Sequence, residues 1–90
     1  PFDGVARWGG DEVLAVLRAI DATTLATVGE RLRKLVASSF LEVDGRQVAV
    51  TVSLGATLAQ AGETKVDLLS RADRCLYASK GEGRNHLTAG

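Results

Sequence analysis

The stretch GVARWGGDEVLAVL, residues 4–17, sets two glycines between two apolar segments. The segments at 4–8 and 12–17 have the composition of short strands, and Gly9 and Gly10 lie between them. Glycine accepts the positive φ that a two-residue hairpin turn requires. The spacing therefore predicts an antiparallel hairpin closed by a Gly-Gly loop.

This hairpin would carry two acidic side chains at its tip. A Gly-Gly loop places Arg7 opposite Glu12 and Trp8 opposite Asp11, so the two acids point to opposite faces of the sheet. One acid is then available to a metal ion while Arg7 holds the other. The alternative is a solvated tip with an Arg–Glu pair, and the pattern by itself favours it. The apolar run at 13–17 lacks alternation, which predicts burial on both faces.

The composition indicates one small globular unit, residues 1–90. Hydrophobic residues make up 46% and charged residues 24%, which is typical of folded rather than disordered chains. A net charge of zero disfavours a broad face for nucleic acid. The single cysteine, Cys75, excludes an intrachain disulfide and is typical of a reducing, cytoplasmic setting. No apolar run has membrane-spanning length, so we expect no membrane contact by this segment.

Helices and strands alternate along the rest of the chain. Capping side chains at 21–24 precede apolar residues at helical spacing over 25–36, which predicts an amphipathic helix of about four turns. A strand at 41–43, a turn at 44–45 and a strand at 47–58 follow.

A second helix is predicted after a polar loop. Thr64 with Asp67 three residues later is typical of a capped helix start. The helix should run to about Lys80, and Gly81 and Gly83 should end it.

The order of elements is β-β-α-β-β-α-β, with a last short strand at 86–87. It predicts an α/β fold, α+β sandwich-like, in which helices pack on a mixed sheet. One face of the 47–58 strand carries only small residues, so a helix or a ligand can approach it closely. These small residues are Ala49, Thr51, Ser53 and Gly55.

Charged residues of the second helix and its end are candidates for a site. The apolar stripe of this helix consists of Val66, Leu69, Ala72, Leu76 and Tyr77. Asp73 falls within it, so we expect Asp73 to be buried with a partner, either structural, which we favour, or orienting a site. Lys80 and Arg84 flank a glycine-containing turn, and such cations suit phosphate oxygens. The alternative for them is capping of the helix dipole, and the pattern by itself favours it.

Four motifs in order resemble those of GGDEF domains, the diguanylate cyclases. They are ARWGGDEV at 6–13, GERLRKLVA at 29–37, VAVTVSLGAT at 48–57 and LLSRADRCLYASKGEGRN at 68–85. The resemblance covers nearly all of the chain, and four motifs at matching spacing are far more specific than Gly-Gly-Asp-Glu alone.

The resemblance implies the condensation of two GTP molecules into the bacterial second messenger cyclic di-GMP. A homodimer would be needed for catalysis, with one GTP held by each protomer. Gly9 and Gly10 would form the turn against GTP, and Lys80 and Arg84 would bind its triphosphate. A sensory or response-regulator domain is expected on the parent chain.

The resemblance also implies a metal site and a product site. Asp11 would bind Mg²⁺ or Mn²⁺ and help to activate the attacking 3′-hydroxyl, and Glu12 would support metal or substrate binding. Asp3 and Arg31 would contribute to an inhibitory site for the product, with the partner arginine of Asp3 expected just before Pro1.

The chain departs from the family pattern in three ways. Val13 replaces the usual phenylalanine and Trp8 the usual tyrosine or phenylalanine, and we expect neither apolar change to touch the chemistry directly. The serious departure is length, since the chain has about half the family's length. By this resemblance it would lack the first strand, with its metal-binding aspartate, and the family's first helices, together with the Phe-Lys-x-x-Asn-Asp region that reads guanine. We therefore expect the isolated chain to be inactive. The alternative is a degenerate, non-catalytic GGDEF module that binds GTP or cyclic di-GMP as a regulatory sensor.

Overall fold

The computed structural model describes residues 4–7, 9, 12–18 and 20–90. Within them, six strands and two helices follow one another, which is one strand more than the sequence predicts. Their bounds are β1 Gly4–Arg7, β2 Val13–Val16, α1 Ala22–Ala37, β3 Phe40–Val43, β4 Arg46–Ala49, β5 Leu54–Ala56, α2 Lys65–Gly81 and β6 Leu87–Ala89.

The strands form three two-stranded sheets. β1 pairs with β2 and β3 with β4 in antiparallel fashion, whereas β5 and β6 are parallel. The single strand predicted over 47–58 is divided into β4 and β5. The division has a topological reason, since the chain changes partner there: β4 pairs with the preceding strand and β5 with the last one.

The first helix begins and ends as predicted. The Asp21 carboxylate accepts a hydrogen bond of 2.7 Å from the Thr24 N–H, which caps the amino end. This bond lowers the pKa of Asp21. α1 then passes over β6 at Gly29, where an added Cβ would lie 3.1 Å from the methyl groups of Leu87. A small residue is what lets the helix approach the last strand.

The second helix has matched caps at both ends. The Thr64 hydroxyl accepts the Asp67 N–H at 3.1 Å. At the other end the Gly83 N–H donates to the Lys80 carbonyl and the Arg84 N–H to the Ser79 carbonyl, at 3.4 and 3.1 Å. With Gly83 at φ +97°, these two bonds make a Schellman motif. Gly83 therefore ends the helix as expected, while Gly81 is its last helical residue.

The closest packing joins α2 to β5 at Gly55. A Cβ on this glycine would lie 2.2 Å from the backbone nitrogen of Leu76 and 2.5 Å from the carbonyl oxygen of Ala72. The strand therefore lies directly on the helix backbone. The prediction of a small-residue face open to close approach is confirmed at this position.

The apolar side chains are less covered than the sequence predicts. Among the described residues, no hydrophobic side chain is fully buried. The predicted burial of 13–17 on both faces is wrong: Val13 is 68% exposed, and the β1–β2 hairpin makes its extensive contacts within itself, not with a helix. The β3–β4 hairpin is likewise exposed. Neither described helix is long and apolar enough to cross a membrane.

Candidate functional site

The hairpin tip brings Gly9 and Glu12 together. The Gly9 N–H donates to the Glu12 carbonyl at 3.3 Å, and Arg7 Nε lies 3.4 Å from the carbonyl oxygen of Gly9. Glu12 is half-buried, and its Oε1 would lie 3.4 Å from a Cβ on Gly9. The turn thus holds a carboxylate beside a glycine backbone. Gly10 and Asp11 lie outside the described residues.

The register of this hairpin differs from the predicted one. The ladder pairs Arg7 with Val13, not with Glu12, so the residues 8–12 separate the two paired ends. A shift of one residue moves a side chain to the other face of a strand. The predicted cross-strand pair of Arg7 and Glu12 is therefore wrong.

The second group of predicted residues lies at the carboxyl end of α2. Lys80 is half-buried in the last turn of the helix, and Arg84 is exposed in the Schellman turn that follows. Arg84 and Asn85 both have left-handed backbone, at φ +65° and +46°. The turn brings the two cations Lys80 and Arg84 to the same end of the helix.

Helix α1 and the segment before β5 both form hydrogen bonds to this turn. The Asn85 N–H donates to the Ser53 hydroxyl at 3.1 Å, just before β5. Arg33 of α1 donates through Nη1 to the Asn85 side-chain oxygen at 3.0 Å, and the same nitrogen lies 3.4 Å from the Asn85 carbonyl. We name Gly83, Arg84 and Asn85 the cationic turn. It is joined by these bonds to both helices and to the segment before β5.

The position of Asp73 corrects a prediction. Asp73 is exposed, so the expected buried acid is absent from this helix face. The face that packs is rotated from the predicted stripe, because Val66 and Tyr77 are also exposed whereas Ser79 is fully buried.

The charged residue that packs is Arg71. Its guanidinium donates to both carboxylate oxygens of Glu63, at 2.6 and 2.9 Å. It also donates to the Thr57 hydroxyl and to the Leu58 carbonyl, each at 2.5 Å. The bonds from Arg71, followed by one from the Gln60 N–H, lower the pKa of Glu63 to about 2. This clamp fixes the loop between β5 and α2. The motif LLSRADRCLYASK contains its arginine, but the acid lies outside any motif.

Arg31 lies on an open groove along α1. The groove has a volume of about 580 Å³, and Glu30, Lys34 and Leu87 also line it. The Arg31 side chain is exposed. Asp3, the other residue predicted for a product site, lies outside the described residues.

The Glu12 carboxylate of the hairpin can supply part of the ligand shell of a magnesium ion. No group of three potential metal ligands occurs in the described portion of the chain. Mg²⁺ commonly takes only one or two protein carboxylates and completes its shell with water and phosphate oxygens. The Glu12 carboxylate is a hard oxygen donor of this kind, so the residues fit an ion that a nucleotide helps to hold.

Comparison with known proteins identifies the family of this chain. The family model of the GGDEF domain, described as a diguanylate cyclase domain, matches residues 1–86. The chain belongs to the GGDEF family. Diguanylate cyclase A of Treponema denticola is 37% identical over 87 residues, which are 96% of this chain and 24% of that protein. MucR of Pseudomonas aeruginosa, a bifunctional diguanylate cyclase and cyclic di-GMP phosphodiesterase, is 32% identical over 92% of this chain and 12% of that protein.

Solved GGDEF structures confirm the predicted fold class. The GGDEF domain of DgcB from Caulobacter crescentus, in complex with c-di-GMP, matches with a TM-score of 0.88 and 38% identity. The match covers 94% of this chain and 50% of that chain. SiaD of Pseudomonas aeruginosa, in complex with its activator SiaC, matches with a TM-score of 0.89 and 32% identity over 96% of this chain and 33% of that chain. This GGDEF chain therefore spans half or less of these relatives.

Proposed function

We propose that this chain forms part of a diguanylate cyclase that joins two GTP molecules into cyclic di-GMP. The observation that carries the proposal is the cationic turn. It presents Arg84, with Lys80 one helical turn before it, from a rigid Schellman cap in a GGDEF chain. In each half of the reaction a 3′-hydroxyl attacks the α-phosphorus of the other GTP, and pyrophosphate leaves.

Lys80 and Arg84 would hold the triphosphate. Arginine binds phosphate oxygens through two parallel N–H donors, and lysine acts as a compact positive charge. Phosphoryl transfer depends chiefly on positioning and charge neutralisation, which is what two cations on a fixed turn supply. Gly9 and Gly10 would let the hairpin backbone approach the nucleotide, since a side chain there would stand between them.

Asp11 and Glu12 would hold Mg²⁺ or Mn²⁺ at the hairpin tip. When bound, the ion would neutralise charge on the phosphates and lower the pKa of the attacking hydroxyl. The Gly9 N–H donates to the Glu12 carbonyl, so the backbone that carries this carboxylate is tied to the turn.

Catalysis would also depend on dimerisation and on regulation. The two GTP molecules would come from two protomers of a homodimer, and a sensory or response-regulator domain of the parent protein would control their approach. Asp3 and Arg31 would contact cyclic di-GMP as an inhibitory product. The isolated 90 residues would be inactive, and the protein would act in the cytoplasm.

The proposal is tested on the full-length protein that contains this chain. Formation of cyclic di-GMP from GTP and Mg²⁺ is measured by chromatography for the wild type and for the K80A and R84A variants. Arg74→Ala is the matched control, because it removes an exposed cation from the same helix. We expect turnover by the wild type and by R74A, and a fall of about a hundredfold or more for each site variant.

The possible outcomes distinguish a diguanylate cyclase from a non-catalytic sensor. Binding of a GTP analogue or cyclic di-GMP without turnover would establish the degenerate, non-catalytic module instead. A chain that binds neither nucleotide would contradict both. Turnover by the isolated 90 residues would contradict the expected inactivity of this part alone.

A further inference from the structure

We infer that Arg33, on α1, is a positioning residue for the cationic turn. It acts through Asn85 and holds the backbone from which Arg84 reaches phosphate. This inference rests on the proposed function, because it takes phosphate binding by Arg84 as its starting point. Arg33 itself touches Glu30 and Asn85, both residues of this chain.

The cationic turn needs external support because its backbone is unfavourable. Gly83 tolerates φ +97° at no steric cost, but Arg84 and Asn85 follow it at φ +65° and +46°. Arginine is disfavoured in the left-handed region, whereas asparagine visits it more readily. Consecutive residues of this kind persist only where the surrounding structure determines them.

The Schellman bonds support only the first part of the turn. They end at the Arg84 N–H, which donates to the Ser79 carbonyl. Beyond that point Asn85 is held by Ser53 on its N–H side and by Arg33 on its side-chain and carbonyl oxygens. The Leu54 N–H then donates to the His86 carbonyl at 2.9 Å, one residue before β6 begins. Arg84 therefore lies between a helix cap and an anchored asparagine.

The side chain of Arg33 is oriented towards Asn85 by Glu30, which lies on the same helix. Nε donates to Glu30 Oε1 at 2.8 Å, and Nη2 contacts the same oxygen. This pairing leaves Nη1 to face Asn85. The hydrogen bonding from Arg33 lowers the pKa of the Glu30 carboxyl. A lysine has one ammonium group in place of a planar fork and cannot hold Glu30 and Asn85 in the same geometry.

The test is a double-mutant cycle in the full-length protein. Wild type, R33A, R84A and the double variant are compared for the dissociation constant of a non-hydrolysable GTP analogue with Mg²⁺, and for KM and kcat. We expect R33A to weaken analogue binding about tenfold, a size typical of coupled residues. In the R84A background the same change should have almost no further effect, since Arg33 acts through Arg84. A general loss of stability would weaken binding equally in both backgrounds.

Two further variants keep the cycle decisive if R33A folds poorly. R33K should give an intermediate loss, because one donor to Asn85 can be retained. N85G keeps the left-handed backbone without strain, so the R33A change should cost less in an N85G background. GMP binding is the ligand control: it lacks the β- and γ-phosphates, and R33A should weaken it less than the triphosphate analogue.

The outcomes distinguish this inference from the proposed function. If R84A itself leaves analogue binding unchanged, the proposed phosphate role of Arg84 fails. If R84A weakens binding but R33A does not, or if the two losses multiply independently, Arg33 does not position the turn and the inference is overturned.

Discussion

The Ser79 hydroxyl lies 2.6 Å from the Leu54 carbonyl oxygen, in the most completely buried position of the described chain. A carbonyl only accepts, so Ser79 donates there, and the Thr88 hydroxyl at 2.8 Å is left to donate to Ser79. One serine of α2 thus joins both strands of the parallel pair. The same residue gives its carbonyl to the Schellman bond from Arg84.

Replacing Ser79 by alanine should destabilise the fold. The change removes the bond to Leu54 and takes away the acceptor of the Thr88 hydroxyl, and losses of this kind cost about 1–3 kcal/mol. Chemical denaturation of the full-length protein, followed by a signal from this domain, measures the effect. Ser70→Ala, at an exposed position of the same helix, is the control and should change stability little. Equal stability of S79A and S70A would contradict this account.

Replacing Gly55 by alanine should be more disruptive. An added Cβ would lie 2.2 Å from the Leu76 nitrogen, and a backbone atom in a helix cannot move aside alone. The strand and α2 would have to separate, and overpacking of this kind costs about 1–3 kcal/mol or more. Thermal melting compares G55A with Gly81→Ala, where an added Cβ meets no atom within 4 Å and the backbone is helical, so this control should melt no lower than wild type. If G55A melts no lower than wild type, the close approach is not needed.

The features that can be predicted from the sequence are those that depend on interactions between residues close together in the chain. The Thr64 cap and the Asp21 cap follow from side chains that bond to backbone three residues away. The register of the hairpin does not, because a Gly-Gly pair permits several loop lengths. The observed pairing of Arg7 with Val13 depends on bonds at the tip that composition does not specify.

The packed face of α2 shows why periodicity was insufficient there. A hydrophobic stripe chosen by residue type includes Tyr77 and Val66, both of which are exposed. The true face contains Ser79 and Arg71, polar residues whose partners come from distant parts of the chain. Hydropathy assigns such residues to the surface. Of the site, residue type and spacing make Lys80 and Arg84 candidates for phosphate binding, and the family resemblance assigns them that role, whereas the support from Arg33 requires the fold.

The clamp between Arg71 and Glu63 predicts a dependence of stability on pH. The pKa of Glu63 is about 2 in the folded chain, against 4.5 for an ordinary glutamate. A carboxylate with a depressed folded pKa stabilises the fold above its unfolded pKa and loses that contribution as pH falls towards the folded value. Stability should therefore fall between about pH 4.5 and 2, with Asp21 and Glu30 adding to the fall.

The variant Glu63→Gln isolates the contribution of this pair. It should be less stable than wild type at neutral pH, and the difference should shrink as pH falls through the same window. Melting temperatures measured from pH 7 to pH 2 test this, with Glu82→Gln as a control at an exposed glutamate. A stability difference between E63Q and wild type that does not change with pH would rule out the ionised pair as its cause.

The exposed hairpins predict self-association of the isolated 90-residue chain. Leu41 and Val48 are cross-strand partners on one face of β3–β4, and they are 59% and 40% exposed. Adjacent apolar side chains beside open strand edges favour pairing with another copy. Sedimentation velocity over a range of concentrations should show a species larger than a monomer. The double change of Leu41 and Val48 to lysine should shift this species towards the monomer, because charge on a strand face opposes edge pairing.

The matched control for that experiment is Val66→Lys. Val66 is 75% exposed, more than either strand residue, but it lies in the first turn of α2 and not in a strand. If general hydrophobicity drove association, this change would reduce it as well. If only a paired strand face does so, V66K should sediment like the unmodified chain. A monomer at all concentrations, with a cooperative melting transition, would show instead that the exposed faces are tolerated without a partner.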